Sequence, residues 1–297
     1  MAGLKEIKKR LHSAQNTKKI TYAMKLVSAA KLRKAQESVT RSREYTQSLI
    51  SLLSSLTAEC GDGAFDHPLL TPREKVTRVR LIVVGGSRGL CGGYNSNVAK
   101  RVEQFYREQQ DNRPNVVVEA VLVGKKPAEH FRRSRRPYAV SFEELPDDAN
   151  LWPVEEVCSK AEQDFLAGTI DEVVIIYTKF KSAISMSVLA EKLLPLDTEI
   201  VQSAAASKEA HKGITLFEPS PREVWSAILP RIMRSRVRQA FLDARASEHG
   251  SRMTAMDSAT KNSGDIIDAL KLSYNKLRQG RITAELLDLI GGSEALS

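Results

Sequence analysis

The densest group of residues able to do chemistry is the run Gly85-Gly86-Ser87-Arg88-Gly89-Leu90-Cys91-Gly92-Gly93-Tyr94-Asn95. It follows Val79-Arg80-Leu81-Ile82-Val83-Val84, which reads as a buried strand, and it precedes a helical stretch over 96–110. A strand, a glycine turn and a helix N-terminus together form the arrangement whose backbone N–H groups cradle phosphates. The spacing fits neither phosphate signature. There is no G-x-x-x-x-G-K-[ST], and glycines 85, 86, 89, 92 and 93 do not make G-x-G-x-x-G. Gly124-Lys125-Lys126 follows a second strand but lacks the upstream glycine and the hydroxyl residue. The run is therefore expected to be a tight backbone turn packed against a neighbour.

The other reactive side chains are dispersed. His12, His67, His130, His211 and His249 include no pair at metal-binding spacing. Cys60, Cys91 and Cys158 are odd in number and far apart, which argues against both a disulfide framework and a metal cluster. Cys91 in its glycine loop could be a reactive thiol, but a small buried residue in a tight loop is the favoured reading. Asp147-Asp148 reads as a turn. The sequence thus nominates no catalytic residue, no cofactor and no metal. Arg132-Arg133-Ser134-Arg135-Arg136 is a dense basic run that keeps nucleic-acid binding open.

Proline placement shows which elements must position these residues. All eleven prolines lie between Pro68 and Pro230, so residues 1–67 and 231–297 have none. Proline inside a helix costs ~3 kcal/mol, so proline-free ends are read as long helices. The first runs from about Leu4 to Leu56 and would extend on the order of 80 Å. Its apolar stripe is Leu4, Ile7, Leu11 and Ala14. A shift like a coiled-coil stutter comes near Thr17, and then Ile20, Met24, Val27, Leu32, Ala35 and Val39 follow. The second runs from about Arg222 to Ile290, with a heptad seam at Met253, Met256, Thr260, Ser263, Ile267, Leu270, Tyr274 and Leu277. Pro230 should kink it. Helices this long must bury their stripes, and the simplest partner for each is the other, antiparallel.

The middle of the chain alternates strands (79–84, 116–123, 172–178) with helices (96–110, 127–133, 153–167), which predicts a small α/β sheet with parallel pairs. The expected fold is mixed α+β / α/β: an antiparallel coiled coil of the terminal helices with an inserted Rossmann-like domain. Its parts are 1–60 (shaft helix), 75–212 (α/β domain) and 213–297 (second shaft helix). No apolar run approaches the ~20 residues needed to cross a bilayer. Residues 1–36 hold ten basic groups and one acid, a net +9 that equals the charge of the whole chain. A neutral body with a basic arm implies an acidic partner. Base stacking is poorly served, since Tyr22 is the one aromatic in that arm.

Three separated blocks resemble the gamma subunit of F-type ATP synthases. The first is Asn16-Thr17-Lys18-Lys19-Ile20-Thr21-Tyr22-Ala23-Met24-Lys25-Leu26-Val27 with Lys31-Leu32-Arg33-Lys34-Ala35-Gln36. The second is the glycine run. The third is Arg252-Met253-Thr254-Ala255-Met256-Asp257-Ser258-Ala259-Thr260-Lys261-Asn262, then Tyr274–Gln279 and Ile282–Leu286. Ser87 stands where the family generally has an acidic residue, Tyr22 stands where it commonly has Lys, and 131–150 matches poorly.

The resemblance implies a non-catalytic central rotor shaft inside a ring of α and β subunits. Its foot would rest on the membrane c-ring with the epsilon subunit, at the cytoplasmic face of a bacterial plasma membrane. By the same resemblance, Lys18, Lys19, Met24, Lys25, Arg252, Arg278, Gln279 and Thr283 would contact β subunits. Glu218, within Phe217-Glu218-Pro219, would face the rotor ring and epsilon. The competing readings are a basic coiled-coil nucleic-acid binder and a nucleotide-dependent enzyme.

Overall fold

The computed structural model of the chain describes residues 2–60, 67–196, 218 and 220–294. Its elements are α1 (Ala2–Cys60), β1 (Arg78–Val84), α2 (Tyr94–Asn112), β2 (Val117–Val123), α3 (Lys125–Arg133), β3 (Val140–Phe142), α4 (Val154–Leu166), β4 (Glu172–Phe180), β5 (Met186–Leu194) and α5 (Pro221–Glu294). Both long helices form, and α5 continues through Pro230. The strands β3 and β5 have no counterpart in the sequence reading. β3 is three residues long, and β5 (MSVLAEKLL) has no clean alternation because it lies at a sheet edge with most of its residues half-buried.

The chain divides into two compact units that cut both long helices: residues 1–29 with 252–297, and residues 30–251. In the first unit the helices pair antiparallel. Lys25 donates to Asp257 at 2.6 Å, the Thr260 hydroxyl donates to Thr21 at 2.8 Å, and Lys18 Nζ lies 3.2 Å from where a Cβ on Gly264 would sit. As the first number falls the second rises, which fixes the direction. This corrects the stutter near Thr17. Apart from half-buried Met24 and Ala29, the buried or half-buried positions of α1 in this unit follow one unbroken heptad, Leu4, Ile7, Leu11, Ala14, then Thr21, Lys25 and Ser28, with exposed Lys18 in step between Ala14 and Thr21. Ile20 and Val27 were assigned to the seam because they are apolar. They point outward instead, 60% and 56% exposed, beside exposed Tyr22 and Leu26. On α5 the seam follows its expected positions through Tyr274, while Leu277 is exposed.

The second unit holds the five-stranded sheet, in the order β3-β2-β1-β4-β5. β1 pairs parallel with β2 and β4, β2 pairs parallel with β3, and β5 joins β4 antiparallel. One face packs under α2 and α3 through Leu81, Val83, Val98, Val102, Phe105, Leu122, Phe131 and Ile176. Arg80 is buried on β1 because two carboxylates match it: Glu119 on β2 and Asp164 on α4. Residues 241–250 of α5 are buried all round, although they include Asp243, Arg245, Glu248 and His249. Trp152 packs on Phe241 with ring centroids 5.6 Å apart, and its Nε1 donates to the Pro146 carbonyl at 2.9 Å. A helix buried on every side is a core element rather than an amphipathic surface one.

Candidate functional site

The glycine run is a closed turn. The Gly85 N–H donates to the Val123 carbonyl at 2.9 Å and the Gly86 N–H to Asn95 Oδ1 at 3.0 Å, so neither is left to meet a phosphate. The Asn95 amide in turn donates to the Arg88 carbonyl at 3.3 Å and to Cys91 Sγ at 3.2 Å. A Cβ on Gly86 would meet Asn95 Oδ1 at 2.9 Å, which is why glycine stands there. Cys91 is buried in the turn, whereas Leu90 projects, 64% exposed, from a left-handed backbone with φ 59°.

In a doubly wound sheet the ligand crevice lies beyond the carboxyl ends of the strands where the order reverses, here β1 and β4. Helix α5 occupies that place. The Tyr94 hydroxyl donates to the Ala244 carbonyl at 3.1 Å, and the Ser247 hydroxyl donates to the Thr178 carbonyl at 3.2 Å. The enzyme reading therefore loses the Gly85 and Gly86 donors and the crevice beside them. Burial at this joint pushes the Tyr94 hydroxyl well above the usual phenol range.

Further polar ties fasten α1 and α5 to the sheet. Arg43 on α1 donates to the Phe180 carbonyl at 3.0 Å and to Asp243 at 3.2 Å. Glu191 on β5 accepts from Arg236 and, at 2.9 Å, from Tyr177. These groups line a cavity of about 420 Å³. Burial holds the Asp243 carboxyl above its usual range although Arg43 opposes the shift, while Arg236 keeps Glu191 low against its own burial. Arg245 donates to the Asp147 side chain at 2.7 Å and to Glu248 at 2.7 Å, and Lys31 donates to the other oxygen of Asp147 at 2.7 Å. Asp147 thus ties α1 to α5. The hydrogen bond from Lys31 holds its carboxyl below the usual range.

The predicted contact residues fall into three kinds. Lys18, Lys19, Arg278, Gln279 and Thr283 are exposed, and the Thr283 hydroxyl donates back to the Gln279 carbonyl at 3.1 Å. Met24 is half-buried, and Lys25 is engaged by Asp257, whose hydrogen bond raises the lysine's pKa. Arg252 is buried, 8% exposed. Glu218 is exposed, while Phe217, Pro219 and the expected boundary at 212–213 lie outside the described residues. The acidic partner anticipated for the basic arm is thus found partly within the chain, as Asp257 and Asp147. Sequence reasoning missed Arg245 and Glu248, and Asp147 was read only as a turn. The available signal is three charged residues, Asp243, Arg245 and Glu248, in the eight from Phe241 to Glu248, the other five being Ala, Ser, Leu and Phe.

The basic run on α3 is half consumed. Arg132 is paired with Glu143 through two hydrogen bonds, and Arg136 pairs with Glu103 and stacks 4.1 Å over Tyr106. Arg133 and Arg135 remain exposed. His130 meets Glu103 at 3.0 Å and His12 meets Asn16 at 3.1 Å, while His211 lies outside the described residues. Among the described residues no group of three or more His, Cys, Asp or Glu side chains could hold a metal. Cys158 is a core thiol that burial pushes up to about 12.

The profile of the family described as ATP synthase matches residues 3–296. The ATP synthase gamma chain of Heliobacterium modesticaldum is 39% identical over 299 residues, covering 100% of both chains. That of Moorella thermoacetica is 40% identical over 296 residues, again covering 100% of both. A chain in the rotor of the Euglena gracilis mitochondrial ATP synthase superposes with a TM-score of 0.61 at 17% identity, covering 94% of this chain and 98% of that one. A chain of the Tetrahymena thermophila mitochondrial ATP synthase central stalk and c-ring gives 0.55 at 23%, covering 81% and 99%. At these identities the likeness to solved structures concerns the fold.

Proposed function

This chain belongs to the ATP synthase gamma-chain family, and from that premise we propose that it is the central rotor subunit of an F-type ATP synthase. The observation that carries the reading is the end-to-end match to bacterial gamma chains, 39% identical with both chains covered completely. The antiparallel pair of terminal helices with an inserted α/β domain is the architecture such a role needs. A shaft works by presenting different faces to surrounding subunits as it turns, so that each is biased in turn toward a different conformation. The chain itself makes and breaks no bond. Catalysis belongs to the β subunits of the head.

On this reading the exposed collar of Ile20, Tyr22, Leu26 and Val27 turns within a sleeve formed by the α and β subunits. Exposed apolar patches of this kind mark interaction surfaces. Lys18, Lys19, Arg278, Gln279 and Thr283 reach the β subunits directly. Met24 sits between collar and seam. Lys25 and Arg252 contribute chiefly by setting the helix pair that carries the others, with their remaining exposed edges turned to β. Glu218 faces the c-ring and the epsilon subunit. The protein works at the cytoplasmic face of the bacterial plasma membrane, held there through the complex. Among the described residues, no helix is long and apolar enough to cross a membrane.

The test is purification of the tagged native chain under mild conditions with identification of what accompanies it. Nucleotide-binding α and β subunits in a fixed ratio, together with epsilon and c subunits, are expected. Purification without them, or with nucleic acid released by salt, would refute the assignment.

A further inference from the structure

The crevice that a doubly wound sheet normally offers to a ligand is filled here by the chain's own helix, and the contacts that fill it are ionic as well as apolar. Glu248 is 1% exposed. Its carboxylate lies so close to Gly86 that a Cβ there would meet the carboxyl carbon and Oε1 at 3.3 Å. Arg245, 8% exposed on its side chain, donates from Nη1 to Glu248 Oε2 at 2.7 Å. Its Nη2 donates to Asp147 Oδ1 at 2.7 Å and its Nε to the Asp147 carbonyl at 3.2 Å. Lys31 closes the set on Asp147 Oδ2 at 2.7 Å.

We propose that Gly86, Asp147, Arg245 and Glu248 form the joint through which turning force passes between the α/β sheet and helix α5, the ligand crevice of the fold being reused as a mechanical seat. The proposal rests on the rotor reading. Apolar burial is non-directional, so an apolar helix face resists separation better than it resists rotation or sliding. Charge-assisted hydrogen bonds from a planar guanidinium fix angle and register. Buried ion groups of this kind add little net stability over apolar residues of the same volume, and fixing one arrangement among several is their best-attested use. The position suits the task. Residues 244–248 meet the sheet on either side of its order reversal: Glu248 against the turn after β1, and Ser247 and Ala244 against β4 and the start of α2. A twist of α5 about its own axis would have to break several of these contacts together. Each of the four named residues is a positioning residue.

The test uses the intact complex in sealed vesicles, carrying Gly86→Ala, Arg245→Met or Glu248→Gln singly, and the pair Arg245→Met with Glu248→Leu. Two rates are read: ATP synthesis driven by an imposed ion gradient, and ATP hydrolysis by the detached, unloaded head. For the single variants, hydrolysis is expected within about twofold of the parent while driven synthesis falls about tenfold or more, because Arg245→Met and Glu248→Gln leave a charged partner unmatched in the seat and Gly86→Ala crowds the Glu248 carboxylate. The double variant restores apolar packing and hence the melting temperature, and it is expected to leave synthesis low. Recovery of synthesis along with stability in the double variant would overturn the joint, as would parallel loss of both rates in the singles. A parent complex that hydrolyses ATP but makes none under the gradient would overturn the rotor reading, and the joint with it. A coupled parent with coupled single variants would overturn the joint alone.

Discussion

Two glycines separate backbone strain from crowding at the turn that supports this seat. Gly124 opens α3 with φ 107°, and a Cβ there would lie 3.0 Å from the Gly85 carbonyl carbon, closer still to its oxygen, and 3.2 Å from the Gly86 oxygen. Gly168 ends α4 with φ 71° and would meet nothing within 4 Å. Its N–H donates to the Phe165 carbonyl at 3.1 Å and the Thr169 N–H to the Asp164 carbonyl at 2.9 Å, a Schellman cap. Gly168→Ala therefore adds only the left-handed strain of an L-residue, about 1–2 kcal/mol. Gly124→Ala adds similar strain and a backbone clash that no side-chain rotation can relieve, about 1–3 kcal/mol more for overpacking. The expected totals are about 1–2 kcal/mol for Gly168→Ala and about 2–5 kcal/mol for Gly124→Ala. Urea denaturation of the full chain, followed by far-ultraviolet circular dichroism, measures both. The clash pushes Gly85 and Gly86 toward Glu248, so Gly124→Ala should also depress coupled synthesis, and Gly168→Ala should not. Equal destabilisation by the two substitutions would refute the close approach of the β1 and β2 turns.

Other outcomes follow from single side chains. Arg135 occupies the same cap position on α3 as Gly168 on α4, with φ 53°, and Arg135→Gly should stabilise the chain by up to about 1 kcal/mol in the same assay. Asp243 has a carboxyl raised by burial, so it binds its proton more tightly in the folded state. Its contribution to stability therefore declines as pH rises from the ordinary carboxylate value through the raised one. Asp243→Asn should flatten the stability profile in the range just above the ordinary carboxylate value, and melting temperatures that keep the parent's slope there would contradict this. Asp147 and Asp164 have lowered carboxyl pKa values and shift stability the other way, their contributions being lost as pH falls below the ordinary carboxylate range, so acid should loosen the tie of α1 to α5 through Asp147 and the Arg80 pair between β1 and α4 through Asp164. Met24→Lys should reduce ion-coupled activity more than it reduces the yield of assembled complex, and an equal loss of both would count against a role at the rotor surface. Lys25→Ala should lower the melting temperature of the chain only slightly, since its partner Asp257 keeps Lys261 at 3.0 Å.

The long helices are legible because a proline beyond a helix's first turn leaves a carbonyl unmatched and is disfavoured there: none falls in 2–60, and α5 carries Pro230 near its start. The antiparallel seam on α5 was legible to Tyr274 because its residues are apolar or small at heptad spacing. The seam on α1 was misplaced at Ile20 and Val27 for the opposite reason. There Lys18, Thr21, Lys25 and Ser28 lie along the partner helix while Ile20, Leu26 and Val27 face out, an inversion that hydropathy cannot reveal because it depends on what surrounds the chain. The central strands read well where both faces are buried. β5 did not, since an edge strand answers to its single neighbour.

Composition and spacing alone determined that this chain has two proline-free helical ends, an inserted α/β region, and no phosphate or metal signature. Only the tertiary structure decided where the charges of residues 241–250 point. On a sequence, Arg245 and Glu248 look like surface residues of an exposed helix. They become a buried ion set because α5 crosses the carboxyl ends of β1 and β4, and the contacts of Asp147 with Arg245 and of Gly86 with Glu248 exist only once the chain has closed on itself. Local pattern encodes local conformation, whereas the matching of buried charge is a property of distant segments brought together.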